Sequence, residues 1–355
     1  MRAREKTSAL LPSPRPRYLT NFRVFFLLST YFLFPTPYSL FSATGLYEVR
    51  ELKPGVFLWA PEDVLDVEGD PQYGRAANAG FVVTTEGVMV INTANSPFHG
   101  REILYEIRKR TEQPVRYVVN TDAHGDSMLG NEVFLDQQAT IIATAGAQAE
   151  MRAYRADLAQ RLRDDENWRL RARMRGIHPT PAAQAFDTEM RLTMGGEEIR
   201  LIRLSGGHSA GDAVVYLPRL KVIFLGHLYE NGFFPRLAAS DVHRWIGILK
   251  QVESWDAEVF VPAHGAAGGK KELAEFRQFL EWLVNEVRAR IQEGKSLNDV
   301  KRELNLTETY RWSGRELAVR DVEEVYEQLM REQPSAPAAP ASAPATAEDQ
   351  PVTPP

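Results

Sequence analysis

An α/β fold of two sheets packed face to face, with helices outside, is what the sequence predicts, and three observations predict it. Apolar runs of strand length recur along the chain between glycines and short polar segments. Closely spaced strand pairs are mixed with strand–helix alternation, which calls for layered sheets covered by helices. The composition of the 355 residues, 44% hydrophobic and 25% charged, is that of a chain able to bury a sizeable core.

In chain order, the runs 55–59, 80–84 and 88–92 are strands, the last two joined at Gly87. A helix is predicted over Arg101–Thr111, with Ile103, Leu104 and Ile107 on one face, followed by a short buried strand at Val115–Asn120. Residues 140–144 are a strand, and residues 145–176 are a charged helical stretch lying over the sheet. Strands resume at 191–194, 198–204, 212–217 and 221–225. A helix over Asp241–Ser254, a strand at 258–262 and helices near 270–293 and 319–331 complete the body.

That body runs over residues 47–332. Before it, Arg2, Arg4, Lys6, Arg15, Arg17 and Arg23 precede the apolar run Val24–Phe34. A basic region, an apolar stretch of roughly 7–15 residues and then small residues describe an export signal. The run is short of the roughly 20 residues that span a bilayer. Residues 1–43 are therefore expected to be a signal peptide cut near Ser42 or Ala43, or an uncleaved anchor, placing the protein in the periplasm, outside the cell or on a membrane. The last segment, 333–355, is nearly all Pro, Ala, Ser and Thr, too poor in apolar surface to offset the entropy of ordering.

A net charge of -5 argues against a nucleic-acid partner and leaves a small-molecule substrate as the expectation. The chain has no cysteine, which excludes disulfides, thiolate nucleophiles and Cys-ligated zinc. Any metal must be held by nitrogen and oxygen. Four of the seven histidines sit in polar segments that follow apolar strands. Thr121-Asp122-Ala123-His124-Gly125-Asp126 follows 115–120, and Gly206-Gly207-His208-Ser209-Ala210-Gly211-Asp212 follows 198–204. Gly226-His227 follows 221–225, and Ala263-His264-Gly265 follows 258–262. Side chains at the carboxyl ends of neighbouring strands converge on one crevice. Imidazole and carboxylate there suit zinc, with manganese or iron as alternatives. One His after a strand is most often a loop or core residue, and Asp126 alone reads as a helix cap. Four such segments together point to a metal site of Asp122, His124, Asp126, His208, His227 and His264.

Over most of the body these segments resemble the metallo-β-lactamase superfamily. Its His-x-His-x-Asp-His motif is similar to Asp122-Ala-His124-Gly-Asp126-Ser127, its Gly-His-Thr-x-Gly-Asp to Gly207–Asp212, and its Pro-Gly-His-Gly to Pro262–Gly265. The resemblance implies a four-layer αβ/βα sandwich with the site at one edge, and a hydrolase holding one or two zinc ions. The chain departs from the pattern at Asp122, Ser127, His227 and Asn92. Either the site is decayed, leaving a non-catalytic metal-binding or accessory protein, or its ligands are redistributed. In the second case Asp122, His124 and His208 form one triad and Asp126, His227 and His264 another. Metal-activated water, with a pKa of roughly 7, would then act on an ester, lactone, thioester or similar substrate, Asp126 orienting it and taking its proton. Asp212 is expected to be an orienting partner or a turn residue. Glu230, where the lactamases carry a substrate-binding Lys, disfavours a β-lactam. The acidic loop Pro61–Ala77 is a candidate substrate flank, and Trp59, Tyr229 and Phe233 are candidate pocket walls.

Overall fold

Strand propensity in this chain is concentrated in uninterrupted apolar runs, the pattern of strands buried on both faces rather than one. In the computed structural model, which describes residues 47–61, 76–164, 166 and 168–332, those runs form two sheets. The expected export segment 1–43, the tail 333–355 and most of the loop 61–77 lie outside the described residues.

The first sheet has seven strands in sequential order: β1 Tyr47–Lys53, β2 Val56–Pro61, β3 Ala79–Thr84, β4 Gly87–Ile91, β5 Val115–Val119, β6 Thr140–Thr144 and β7 Gln184–Phe186. The first four pair antiparallel, and β4 to β7 pair in parallel. Parallel pairing needs long crossovers. They are supplied by the helices α1 Pro97–Arg108, α2 Gly125–Met128, α3 Asn131–Leu135, α4 Ala145–Arg161 and α5 Trp168–Arg173. The second sheet comprises β8 Glu189–Met194, β9 Glu197–Arg203, β10 Ala213–Leu217, β11 Val222–Glu230 and β12 Val259–His264, in the order β12-β11-β10-β9-β8. Helices α6 Val242–Glu253, α7 Lys270–Gln292, α8 Leu297–Glu303, α9 Leu306–Thr309 and α10 Arg315–Glu332 complete the chain.

Side-chain alternation sorts the apolar residues into three layers of core. Met89 and Ile91 of β4 meet Leu201, Val215 and Phe224 between the sheets. Val88 and Val90 of the same strand point the other way, onto Ile103 and Ile107 of α1. On the far side of the second sheet, Ile223 and Phe260 pack beneath Trp245 of α6, Phe276 of α7 and Val322 of α10. Three cores separating four layers make the αβ/βα sandwich expected from the sequence.

The boundaries differ where capping and packing outweigh periodicity. Helix α1 begins before Arg101, because the Ser96 hydroxyl accepts from His99 N and Pro97 occupies the first turn. The charged stretch 145–176 is two helices instead of one. Strand β11 runs past Leu225 to Glu230, so His227 lies inside a strand rather than after it, and His264 is the last residue of β12. Register shifts between Phe224 and Gly226, and again between Gly226 and Glu230, bend β11 at this point.

One group in the outer core is under electrostatic load. Asp321 of α10 is buried, takes only Leu237 N on one oxygen at 3.4 Å, and has no partner on the other among the described residues. Burial pushes its carboxyl well above the ordinary 3.8. The folded protein therefore holds a proton that the unfolded chain releases, so this group's contribution to stability falls as pH rises above 3.8. Asp321→Asn is expected to flatten that loss, making the variant more stable than wild type at pH 8 relative to pH 5 in denaturant titrations. An unchanged pH slope would show that Asp321 is ionised in the fold.

Candidate metal centre

Strand β5 delivers the chain to the edge between the sheets, and an amide network fixes the turn beyond it. Asn131 Nδ2 donates to Asn120 Oδ1 at 2.9 Å, and Asn120 Nδ2 returns a bond to Asn131 Oδ1 at 3.2 Å. Asn92, in the left-handed region at φ 57°, accepts from Thr121 N and donates to Thr121 Oγ1, both at 3.0 Å. The aspartate common at position 92 in the resembled family is thus replaced by a residue that locks Thr121. Thr121 in turn donates to Asp122 Oδ2 at 2.9 Å. Asp122 also accepts from His124 N on Oδ1 at 2.8 Å, and from Ser127 Oγ on Oδ2 at 3.4 Å. Asp126 does not cap α2, whose N-cap is His124.

Across the gap, His227 enters from the bent segment of β11. Its Nδ1 donates to Asp122 Oδ2 at 3.0 Å, and its Nε2 lies 3.2 Å from Asp126 Oδ2. His264 Nε2 reaches the same Asp126 oxygen at 3.2 Å, while its backbone N donates to Glu230 Oε2 at 3.0 Å. His208, in the loop after β9, donates from Nδ1 to Asp212 Oδ1 at 3.0 Å. Asp212 also holds Ser209 N at 2.7 Å and Ser209 Oγ at 2.6 Å, so it orients the imidazole and closes the turn at once. With its proton on Nδ1, His208 presents a lone pair at Nε2. That atom is buried and has no hydrogen-bond partner among the described residues.

The imidazoles gather closely. The ring of His208 lies 4.5 Å from that of His124 and 4.8 Å from that of His227, and His227 lies 5.4 Å from His264. Among the described residues two triads have ligand atoms within 4.8 Å of one another: His124, His208 and His227, and Asp126, His227 and His264. Asp122 belongs to neither. The partition expected from the sequence set Asp122 beside His124 and His208; here both of its oxygens are taken by protein donors.

The charges follow from burial and neighbours. Burial alone would raise Asp122 and Asp126, but the His227 ring, joined at Asp126 by His264, holds both carboxyls well below their usual range. Burial alone would lower His227, yet Asp126 and Asp122 on either side raise it well above 6.5. Burial, reinforced by His208, depresses His124 to about 3, so its ring is neutral and its lone pair free for a cation. Glu230, enclosed beside His264, is pushed well above the ordinary carboxylate range by burial.

The cluster floors a cleft of about 790 Å³ that opens to solvent. Phe233, Phe234 and Leu317 form an apolar wall, and Tyr154, Glu230, Arg236 and Glu316 add polar groups. Of the aromatic walls expected from the sequence, Phe233 lines the cleft. Trp59 and Tyr229 do not, being fully buried against Tyr47 and Phe276 respectively. Tyr154 and Arg236 were not singled out by the sequence. Arg236 lies only nine residues beyond His227 but outside every motif, and Tyr154 lies in a helix with no pattern to mark its inner face.

Sandwich and site together define a class. The metallo-beta-lactamase superfamily model matches residues 73–264, more than half of the chain, and the chain belongs to that superfamily. Among particular relatives, it is 22% identical to a linear primary-alkylsulfatase from a Pseudomonas species, over 55% of this chain and 42% of that protein. It is 27% identical to a metallo-beta-lactamase type 2 from Elizabethkingia meningoseptica, over 44% of this chain and 54% of that protein. The chain thus spans about half the length of the curated relatives it matches. Among solved structures, a metallo-beta-lactamase from Pontibacter korlensis superposes with a TM-score of 0.53 at 22% identity, covering 66% of this chain and 99% of that one. A stereoselective inverting sec-alkylsulfatase from Pseudomonas superposes with a TM-score of 0.55 at 16% identity, covering 79% and 50%. At these identities the superpositions speak for the fold.

The approach of β11 to the Thr121–Asp122 turn depends on Gly226, at φ 54°, where a Cβ would fall 2.2 Å from Thr121 Oγ1. Gly226→Ala is expected to cost on the order of 1–3 kcal/mol through this backbone strain, read as a shift in the denaturation midpoint. A midpoint equal to wild type would show that the turn yields freely.

Proposed function

We propose that this chain is a metal-dependent hydrolase that uses activated water on a small ester-type substrate: a carboxylic ester, lactone, thioester or sulfate ester. The observation that carries the reading is the buried, unpartnered Nε2 of His208 facing a cluster of imidazoles at the floor of an open cleft. A buried acceptor with no donor is costly, and a divalent cation is a partner that imidazole nitrogens gathered this closely fit. His124, His208 and His227 are the residues that would hold it, and Asp126 and His264 lie at their side. An ion there supplies Lewis acidity toward the scissile group and brings the pKa of water to roughly 7.

The remaining work falls to this chain's own side chains. Asp126 is a carboxylate at the cleft floor whose Oδ2 is pinned by two imidazoles, which leaves Oδ1 to orient water by accepting its hydrogen bond. Asp212 holds the His208 ring, and Glu230 holds the backbone of His264. Arg236 is the one Lys or Arg lining the cleft, and it makes no hydrogen bond or ion pair to other side chains among the described residues. A guanidinium beside the apolar wall of Phe233, Phe234 and Leu317 favours a substrate with an anionic group and an aliphatic or aromatic body. The names of the two alkylsulfatases it resembles agree with that chemistry. For a β-lactam, Glu230, buried and bonded to the His264 backbone, supplies no cation to the substrate carboxylate.

The test is hydrolysis of a panel of p-nitrophenyl esters, lactones, thioesters and alkyl sulfates by the metal-loaded protein, before and after chelation. Activity that is lost to chelator and regained with metal is expected. No turnover on any of the four classes by metal-loaded protein would overturn the reading in favour of a non-catalytic metal-binding protein. His208→Ala should reduce kcat/KM at least about 10–100-fold, since removing even a residue that only orients a ligand typically costs that much in metal affinity or activity. Arg236→Ala should raise KM about tenfold for anionic esters, the equivalent of one charged hydrogen bond, and leave neutral esters unaffected. An equal loss for both would remove the anion-binding role.

A further inference from the structure

The two triads share one residue, and that sharing limits what the centre can hold. His227 belongs to both. A carboxylate at that place would have two oxygens for two cations, whereas an imidazole has one lone pair on each nitrogen. Nδ1 of His227 is committed, donating to Asp122 Oδ2 at 3.0 Å in a fully enclosed contact. Asp122 cannot release it cheaply, because its carboxylate is buried and His227 is one of the donors that offset its desolvation. Nε2 of His227, which meets the less enclosed Asp126 at 3.2 Å, is the nitrogen that can exchange its proton for a cation, and it can bind one.

Once Nε2 is used in one triad, the other keeps two protein ligands, fewer than the three that hold a catalytic ion. The first triad has the stronger claim. In the second, Asp126 Oδ2 already receives both His227 Nε2 and His264 Nε2, so its members satisfy one another. In the first, His208 Nε2 has nothing to accept from among the described residues, and His124 and His227 flank it with ring centroids within about 5 Å.

We infer that the centre binds a single metal ion on His124, His208 and His227, with Asp122 a positioning residue that fixes the His227 tautomer rather than a ligand. Asp126 and His264, which both line the cleft, then face substrate and water from its side. This inference rests on the proposed metal-dependent reading of the site, and it reverses the expectation of two three-ligand sites.

The experiment is metal counting on the full chain, stripped with chelator, reloaded separately with Zn²⁺ and Co²⁺, desalted and measured by elemental analysis. One ion per chain is expected, with one set of visible Co²⁺ d–d bands. His264→Ala should retain that ion with its dissociation constant changed less than about threefold, whereas His124→Ala and His208→Ala should weaken it at least 10–100-fold. Circular dichroism and thermal unfolding of each variant identify any loss that comes from misfolding, and in that event the wild-type stoichiometry decides. Two ions of similar affinity in the wild type would overturn the inference and leave the hydrolase reading standing. Loss of the ion in His264→Ala with retention in His124→Ala would overturn the choice of triad. No ion retained by the wild type would overturn both readings together.

Discussion

The contact between Asp122 and His227 is the constraint on which the site depends. One partner comes from the turn after β5 in the first sheet, the other from the bent segment of β11 in the second. A carboxylate buried this deeply would cost several kcal/mol unless its lone pairs were taken up. Thr121 Oγ1, Ser127 Oγ, His124 N and His227 Nδ1 supply the donors. Bonds to a charged acceptor contribute about 1.5–3 kcal/mol each, so the set offsets the burial. The same contact sets the direction of the His227 ring, and so which nitrogen meets Asp126 at the cleft floor.

Everything around that contact holds the two sheet edges in register. Asn92 locks Thr121, Gly226 lets β11 approach it, and Asn78 Nδ2 donates to the carbonyls of Pro262 and Gly265 across the sheet boundary. Amide side chains tie the backbone of the floor, and Tyr154 of α4 and Leu317 of α10 line the cleft beside it. A cleft with a stiff, charged floor and an apolar wall suits a substrate that is reactive at one polar end.

Much of this was legible in the residues. The long apolar runs revealed the strands, and period-3.6 patterning with Asp241 as a cap revealed α6. Strand β1 was illegible because Tyr47-Glu-Val-Arg-Glu-Leu-Lys53 is an edge strand with polar residues on its open side. β7 is only three residues long, held by pairing with β6 rather than by its own preference. The end of β11 was missed because Gly226 reads locally as a breaker. In the fold a glycine there permits a bulge and close approach, and the strand continues to Glu230.

By itself the sequence determined that four histidines and their carboxylates would gather at one sheet edge, since apolar run, turn and ligand-type residue are all local features. Asp212 beside His208 was equally local, four residues apart in one turn. Which of the six would group together was decided only by the tertiary structure. Asp122 and His227 are separated by 105 residues, and no spacing rule connects them. Their meeting sets the Asp122 carboxylate against Nδ1 of His227, and the single-ion proposal rests on that contact. Residue type sets what a side chain can bind, but how many of its atoms remain free depends on what the fold has already placed against it.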